Sequence, residues 1–293
     1  MLRVSRLAAQ VARTGRKRPT EELYLNIIKA VSTGDPTIVR QHVDQAAALA
    51  DQNELSGKDF SLILNSAGKI SGVDTSKLLT ALRTKLVKNR RFLTSLVPTD
   101  IALMMLSVAK LAKGGPETIK LTSPILARLS REIPLKLSLF ENHQLAQVLH
   151  AISLAGIPSS AVIAEIVTEI ETCRDIASFS PQSVVMIASA LARIKPSQSE
   201  MLHSLWNSIQ ERSANIPRSE MQPNWPDVLL TAAAFAGEGQ CHACSEFARR
   251  MADEVYYQFK SGKINEGRVA KAVHALVQLN ADARIVEKLR VLC

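Results

Sequence analysis

The chain has 293 residues, 46% of them hydrophobic and 22% charged, with a formal net charge of +9. That balance excludes a disordered or collagen-like chain, and the length supports a core that needs no disulfide staple. With twelve glycines, twelve prolines and only 4% aromatic residues, a turn-rich β-sandwich or barrel is excluded as well, and no uncharged apolar run approaches the roughly 18 residues of a membrane span.

The first nineteen residues read MLRVSRLAAQVARTGRKRP and hold Arg3, Arg6, Arg13, Arg16, Lys17 and Arg18; the first acid is Glu21. Without this segment the net charge falls to +3. On a helix, Leu2, Val4, Leu7 and Val11 lie on one side with arginines opposite. An Arg-rich, acid-free amphipathic N-terminus is the pattern of a mitochondrial targeting segment, and the expected location is the mitochondrial matrix. The rival reading is a retained basic arm that binds nucleic-acid phosphates.

Two helical stretches follow, 20–33 and 36–52, and residues 20–55 are expected to cap what comes after. From residue 56 a repeat begins. FSLILNSAGKI (60–70), IALMMLSVAKL (101–111), LAQVLHAISL (145–154), VVMIASALARI (184–194), VLLTAAAFA (228–236) and VAKAVHALVQL (269–279) end at intervals of 41, 43, 40, 42 and 43 residues. Each is followed by a breaker: Gly72, Gly114, Gly156, Pro196, Gly237 and Asn280. Each breaker precedes a second apolar-periodic stretch: 78–87, 125–133, 162–170, 202–209, 247–259 and 285–292. Their period is helical; Ile163, Ile166, Val167 and Ile170 follow i, i+3, i+4, i+7. Ser180-Pro181 and Ser123-Pro124 mark helix starts, with Phe179 positioned to staple onto Val184, and Ser197–Glu200 fits a capping box. The first stretch of each unit is crowded with Ser and Ala, which permits close helix approach. A helix pair of this kind cannot cover its own apolar face, so stacking is required. The predicted fold is an all-α, right-handed α-solenoid over 56–293, of about six helix-turn-helix repeats with a period near 42 residues.

The stretch FSPQSVVMIASALARIKPSQSEMLHSLWNSI (179–209) resembles the helical repeats of the FASTK-type, octotricopeptide and heptatricopeptide families. They share an opening Ser/Pro cap, a small-residue-rich first helix, a short turn and a second helix. The likeness is fair at 98–133 and 140–170, weaker at 227–259 and 264–293, and extends over most of 56–293. It implies an organellar role in RNA stability, RNA processing or the ribosome. Many members end in a RAP domain; this chain is expected to lack one, and no catalytic role is expected.

The candidate RNA- or phosphate-binding residues are Lys77, Arg83, Lys85, Lys88, Arg90 and Arg91, six cations with no intervening acid. Leu78, Leu79, Leu82 and Leu86 form the expected buried face. On one continuous helix, Lys77, Lys85, Lys88 and Arg91 fall on one flank and Arg83 and Arg90 on the other. Cations without counter-charges suit a phosphate backbone; the competing reading is a solvated face beside acidic neighbours. Phe92 is the one nearby aromatic for base stacking. Cys241-His-Ala-Cys244 is a CxxC without the second pair that a structural zinc site needs, and Cys173 and Cys293 stand apart. The cysteines are expected to be reduced thiols. His150 and His274 fall inside first helices without ligand-spaced partners. Trp206 and Trp225 suit repeat packing, with Trp225 beside Pro226 also suited to an interface. No cofactor, metal or catalytic motif is expected. The expected function is a non-catalytic mitochondrial RNA-associated component of a ribosome, RNA-processing or RNA-editing assembly. Its partners are then mitochondrial RNA or ribonucleoprotein and the protein subunits of a larger complex. The alternative is a structural scaffold subunit of a respiratory or ATP synthase type complex without RNA contact.

Overall fold

The computed structural model describes residues 19–70, 72–156, 160–194, 200–236 and 242–293. Among these residues all regular structure is helical and there is no strand, as the apolar periodicity predicts. The Arg-rich segment read as a targeting sequence, the predicted capping box at Ser197–Glu200, Pro196 and Gly237 fall largely or wholly outside the described residues. The chain forms two compact units, Met1–Glu132 and Ile133–Cys293.

In the first unit the helices are α1 (Pro19–Thr33), α2 (Pro36–Asp51), α3 (Gly57–Ala67), α4 (Ser76–Lys88), the short α5 (Arg90–Ser95), α6 (Pro98–Leu111) and α7 (Pro116–Ser130). Helices α1, α3 and α6 pack side by side in one layer, and α2, α4 and α7 in the other. Ile27, Val43, Phe60, Leu82 and Met104 fill the core. The approach of α3 to the α6 start is close. A Cβ on Gly57 would overlap Leu96 and come within 3.2 Å of the Asp100 carboxylate.

Ser123-Pro124 does not open a helix. The chain turns at Gly115, whose φ of 121° suits glycine, and α7 starts at Pro116 and runs through Pro124. Pro124 lacks the N–H that would bond back to the preceding turn. The hydroxyls of Thr122 and Ser123 donate to the carbonyls of Thr118 and Ile119, at 2.8 Å each, so local side chains supply polar partners beside the break in the ladder.

The second unit contains α8 (Asn142–Ala155), α9 (Ser160–Cys173), α10 (Pro181–Ile194), α11 (Glu200–Ala214), α12 (Trp225–Ala236), α13 (His242–Lys260), α14 (Glu266–Gln278) and α15 (Ala283–Arg290), with 3-10 turns at Pro134–Leu139 and Ile176–Ser178. Helices α8, α10, α12 and α14 form one layer; α9, α11, α13 and α15 form the other. Ser180 caps α10 as its sequence predicts, accepting from the Ser183 N–H at 3.3 Å, and Phe179 and Val184 are both buried. The predicted breakers behave as helix stops at Gly156 and Asn280, which adopt φ of 61° and 51°.

Several first-layer helices, α3 and α6 above all, are buried on most of their circumference. In α6 every residue from Met104 to Ala109 is buried. Their N-terminal N–H groups therefore need partners inside the protein. In the five first-layer helices from α3 to α12, the third residue meets that need or stays buried beside it. Asp59 accepts from the Ser56 N–H at 2.9 Å, and Gln144 from the Glu141 N–H at 3.0 Å. Asp100 accepts from the Val97 N–H. Ser183 bonds to Ser180, and Asp227 is held by Arg268 at 3.0 and 3.1 Å. All five are buried. The residue that completes the series, Arg268 at the third position of α14, is the partner of Asp227.

Burial raises the Asp100 carboxyl above its ordinary value, against the lowering pull of the Val97 N–H, Lys58 and Ser61. A carboxyl raised in the folded state contributes its full stability at low pH and loses it as pH rises through the folded value. Asp100→Asn keeps an acceptor for Val97 and removes the titration. Urea midpoints measured upward from below about pH 4 should show the wild type losing stability relative to Asp100→Asn.

Candidate nucleic-acid interface

Helix α4 is amphipathic, with Leu78, Leu79, Ala81, Leu82 and Leu86 buried. Lys85 and Lys88 occupy its last turn, where the helix dipole favours cations. The basic stretch is not one helix. Asn89 takes an extended conformation (φ −117°, ψ 91°), which ends α4, and its side chain accepts from the Phe92 N–H at 2.9 Å to start α5. Arg90 and Arg91 therefore stand on a separate helix, and the two-flank arrangement of a single helix does not apply to them.

The structure divides the six candidates. Lys77 pairs with Asp44 of α2 at 3.2 Å, both exposed. Lys85 is committed to its own fold. Its ammonium donates to the Leu55 carbonyl at 2.6 Å and lies 5.0 Å from the Phe92 ring centre and 5.7 Å from that of Phe60. Burial lowers its pKa, against the opposing pull of Asp59. The other four, half-buried Arg83 and exposed Lys88, Arg90 and Arg91, make no ion pair among the described residues. Phe92 is 7% exposed and packs edge-on against Phe60 at 5.9 Å, so it is a core residue and not a stacking platform.

Sequence composition places the excess charge on the same side of the unit boundary. Residues 20–132 carry fifteen Lys and Arg against eleven Asp and Glu, whereas residues 133–293 carry fifteen against sixteen. In the second unit many cations are spent on carboxylates: Arg174 on Glu169, Arg218 and Arg250 on Glu254, Arg268 on Asp227, and Lys288 on Asp253. The Arg83–Arg91 cluster has the chemistry to neutralise several phosphates.

Trp206 and Trp225 are both buried in the helix packing, so Trp225 is not exposed. His150 and His274 lie within α8 and α14. Cys173 and Cys293 are exposed free thiols. Cys241 and the Cys244 side chain lie outside the described residues. A groove of about 380 Å³ crosses α10, α12 and α14, with Arg193 on one wall, Lys271 on the other and an apolar floor that includes Val228 and Ala232. Sequence patterning did not signal it, because these residues meet only when successive first-layer helices stand side by side. No family model matches the chain, and no curated protein matches it.

Lys85→Met should destabilise the protein by about 1–2 kcal/mol through the lost carbonyl bond and ring contacts. Arg90→Ala should stay within about 0.5 kcal/mol of wild type, as exposed unpaired sites do. Chemical denaturation of both variants checks the contrast.

Proposed function

We propose that this chain is a non-catalytic, mitochondrial RNA-associated helical-repeat protein that acts as a component of a ribosome, RNA-processing or RNA-editing assembly. The observation that carries the reading is the cluster Arg83, Lys88, Arg90 and Arg91, four cations within nine residues that no carboxylate neutralises among the described residues. The acid-free stretch from Thr75 to Thr99 leaves them no local counter-charge. The Arg-rich N-terminus and the repeat's likeness to organellar RNA factors point the same way. On this reading the two-layered helix pairs are repeats of a right-handed α-solenoid with a period near 42 residues. Such a framework offers helix edges to RNA and to protein neighbours. The chain contributes surface and shape to its assembly, with no chemical step of its own.

The groove across α10, α12 and α14 favours a second reading, a scaffold subunit that contacts protein alone. Its apolar floor and 55%-exposed Phe235 suit a protein segment.

The test is binding of a labelled twelve-nucleotide oligouridylate to the full chain at several salt concentrations. The wild type should bind with an affinity that falls steeply with salt. Charge reversal of Arg83, Lys88, Arg90 and Arg91 should reduce binding at least tenfold and flatten the salt slope by about 0.7 per lost phosphate contact. Wild-type affinity in that variant would remove the cluster from the RNA surface.

A further inference from the structure

The second unit gathers cations and tyrosines at one place, the C-terminal end of α13. Four chain segments converge there. Tyr256, Tyr257 and Lys260 occupy the last turn of α13. The chain then reverses at Gly262, whose φ of 67° allows the Lys263 N–H to bond the Gln258 carbonyl at 2.9 Å. This helix stop holds Lys263 beside the helix end. Arg218 arrives from the connection before α12, and Lys288 from α15.

The rings and cations interleave. The Arg218 guanidinium lies 4.6 Å from the Tyr257 ring centre, with the Lys263 ammonium at 5.9 Å. The Lys288 and Lys260 ammonium groups lie 4.9 and 5.7 Å from the Tyr256 ring centre. Tyr257 is 41% exposed, and Lys260 and Lys263 are exposed without an ion pair among the described residues.

The local charge is positive although the unit as a whole is not. Fully buried Glu254 is met by both Arg218 and Arg250, at 2.7 Å each. Asp253 is met by Lys288 at 2.7 Å. Five cations therefore converge where two carboxylates answer them. The Glu254 bond fixes Arg218 by its Nε edge, and half of its side chain remains exposed.

We propose that Tyr257, with Arg218, Lys260 and Lys263, forms a second contact for single-stranded RNA. A base would stack against the exposed tyrosine and the guanidinium beside it, while the two lysines would meet the flanking phosphates. Stacking surfaces interleaved with cations are what single strands require, and both flat groups accept any base. The site rests on the RNA-associated reading given above and extends it to the second unit. An acidic peptide would use the lysines but would gain little from the tyrosine ring.

The experiment uses the full chain, a labelled twelve-nucleotide oligouridylate, and an unlabelled polyglutamate of equal length as competitor. Circular dichroism and melting temperature are recorded for each variant. Tyr257→Ala should weaken binding about five- to a hundredfold, and Tyr257→Phe should retain it. Lys260→Glu with Lys263→Glu should weaken binding and lower the salt slope by about 1.4, two phosphate contacts at single-strand values. Wild-type affinity in both Tyr257→Ala and the double variant, with loss only on reversal of the Arg83–Arg91 cluster, would overturn this site alone. Absence of binding by the wild type would overturn both sites. Displacement of the oligouridylate by polyglutamate, with Tyr257→Ala unchanged, would replace RNA by an acidic protein partner.

Discussion

The structure depends on satisfying the N-termini of helices that have little water around them. Within each unit the first-layer helices pack against one another and are backed by the second layer. Their opening N–H groups must be answered from within the protein. Asp59, Asp100, Gln144, Ser183 and Asp227 occupy the third helical position and are buried. Several reach back to the residue before the helix, which fixes where each helix begins and the angle at which the chain enters it. Ser and Ala can then fill the rest of the helix, because its position is set by the polar start as well as by large side chains.

The same constraint separates framework charges from surface charges. Asp227 is buried and needs Arg268; Glu254 is fully buried and needs Arg218 and Arg250. Breaking either arrangement would leave a buried carboxylate without its cation, which is strongly destabilising. Lys85 belongs to this class too, because its ammonium ties α4 to the loop carbonyl at Leu55. The cations left over, Arg83, Lys88, Arg90 and Arg91 in one unit and Lys260 and Lys263 beside Tyr257 in the other, make no ion pair among the described residues. Their availability to a polyanion follows from that division and from the positive excess around them.

Much of the framework was legible in the sequence. The twelve apolar stretches read from residue 56 onward fall on α3, α4 and α6 to α15, and the upstream pair 20–33 and 36–52 matches α1 and α2 within a residue or two. Boundaries were less legible where two signals competed. Ser123-Pro124 has the form of a helix start, yet the stronger break at Gly115 and the hydroxyl bonds of Thr122 and Ser123 let α7 pass through it. The break at Asn89 is not legible in the sequence because its neighbours keep helical periodicity; its extended backbone and the cap that it gives Phe92 make the break.

The candidate site was half legible. Charge spacing found the basic stretch, but which cations are spent on the fold depends on partners thirty or more residues away, such as Asp44 for Lys77 and Leu55 for Lys85. The tyrosine cluster was invisible for the same reason: Arg218 and Lys288 lie far from Tyr257 and Tyr256 in the chain. The most direct measurement of the central claim is sedimentation of the tagged chain from mitochondrial lysate, with and without RNase, probing RNA in every fraction. A heavy peak that carries RNA and shifts on digestion is the expected result. Migration as a free 32.0 kDa species, or a heavy peak devoid of RNA, would contradict an RNA-associated role.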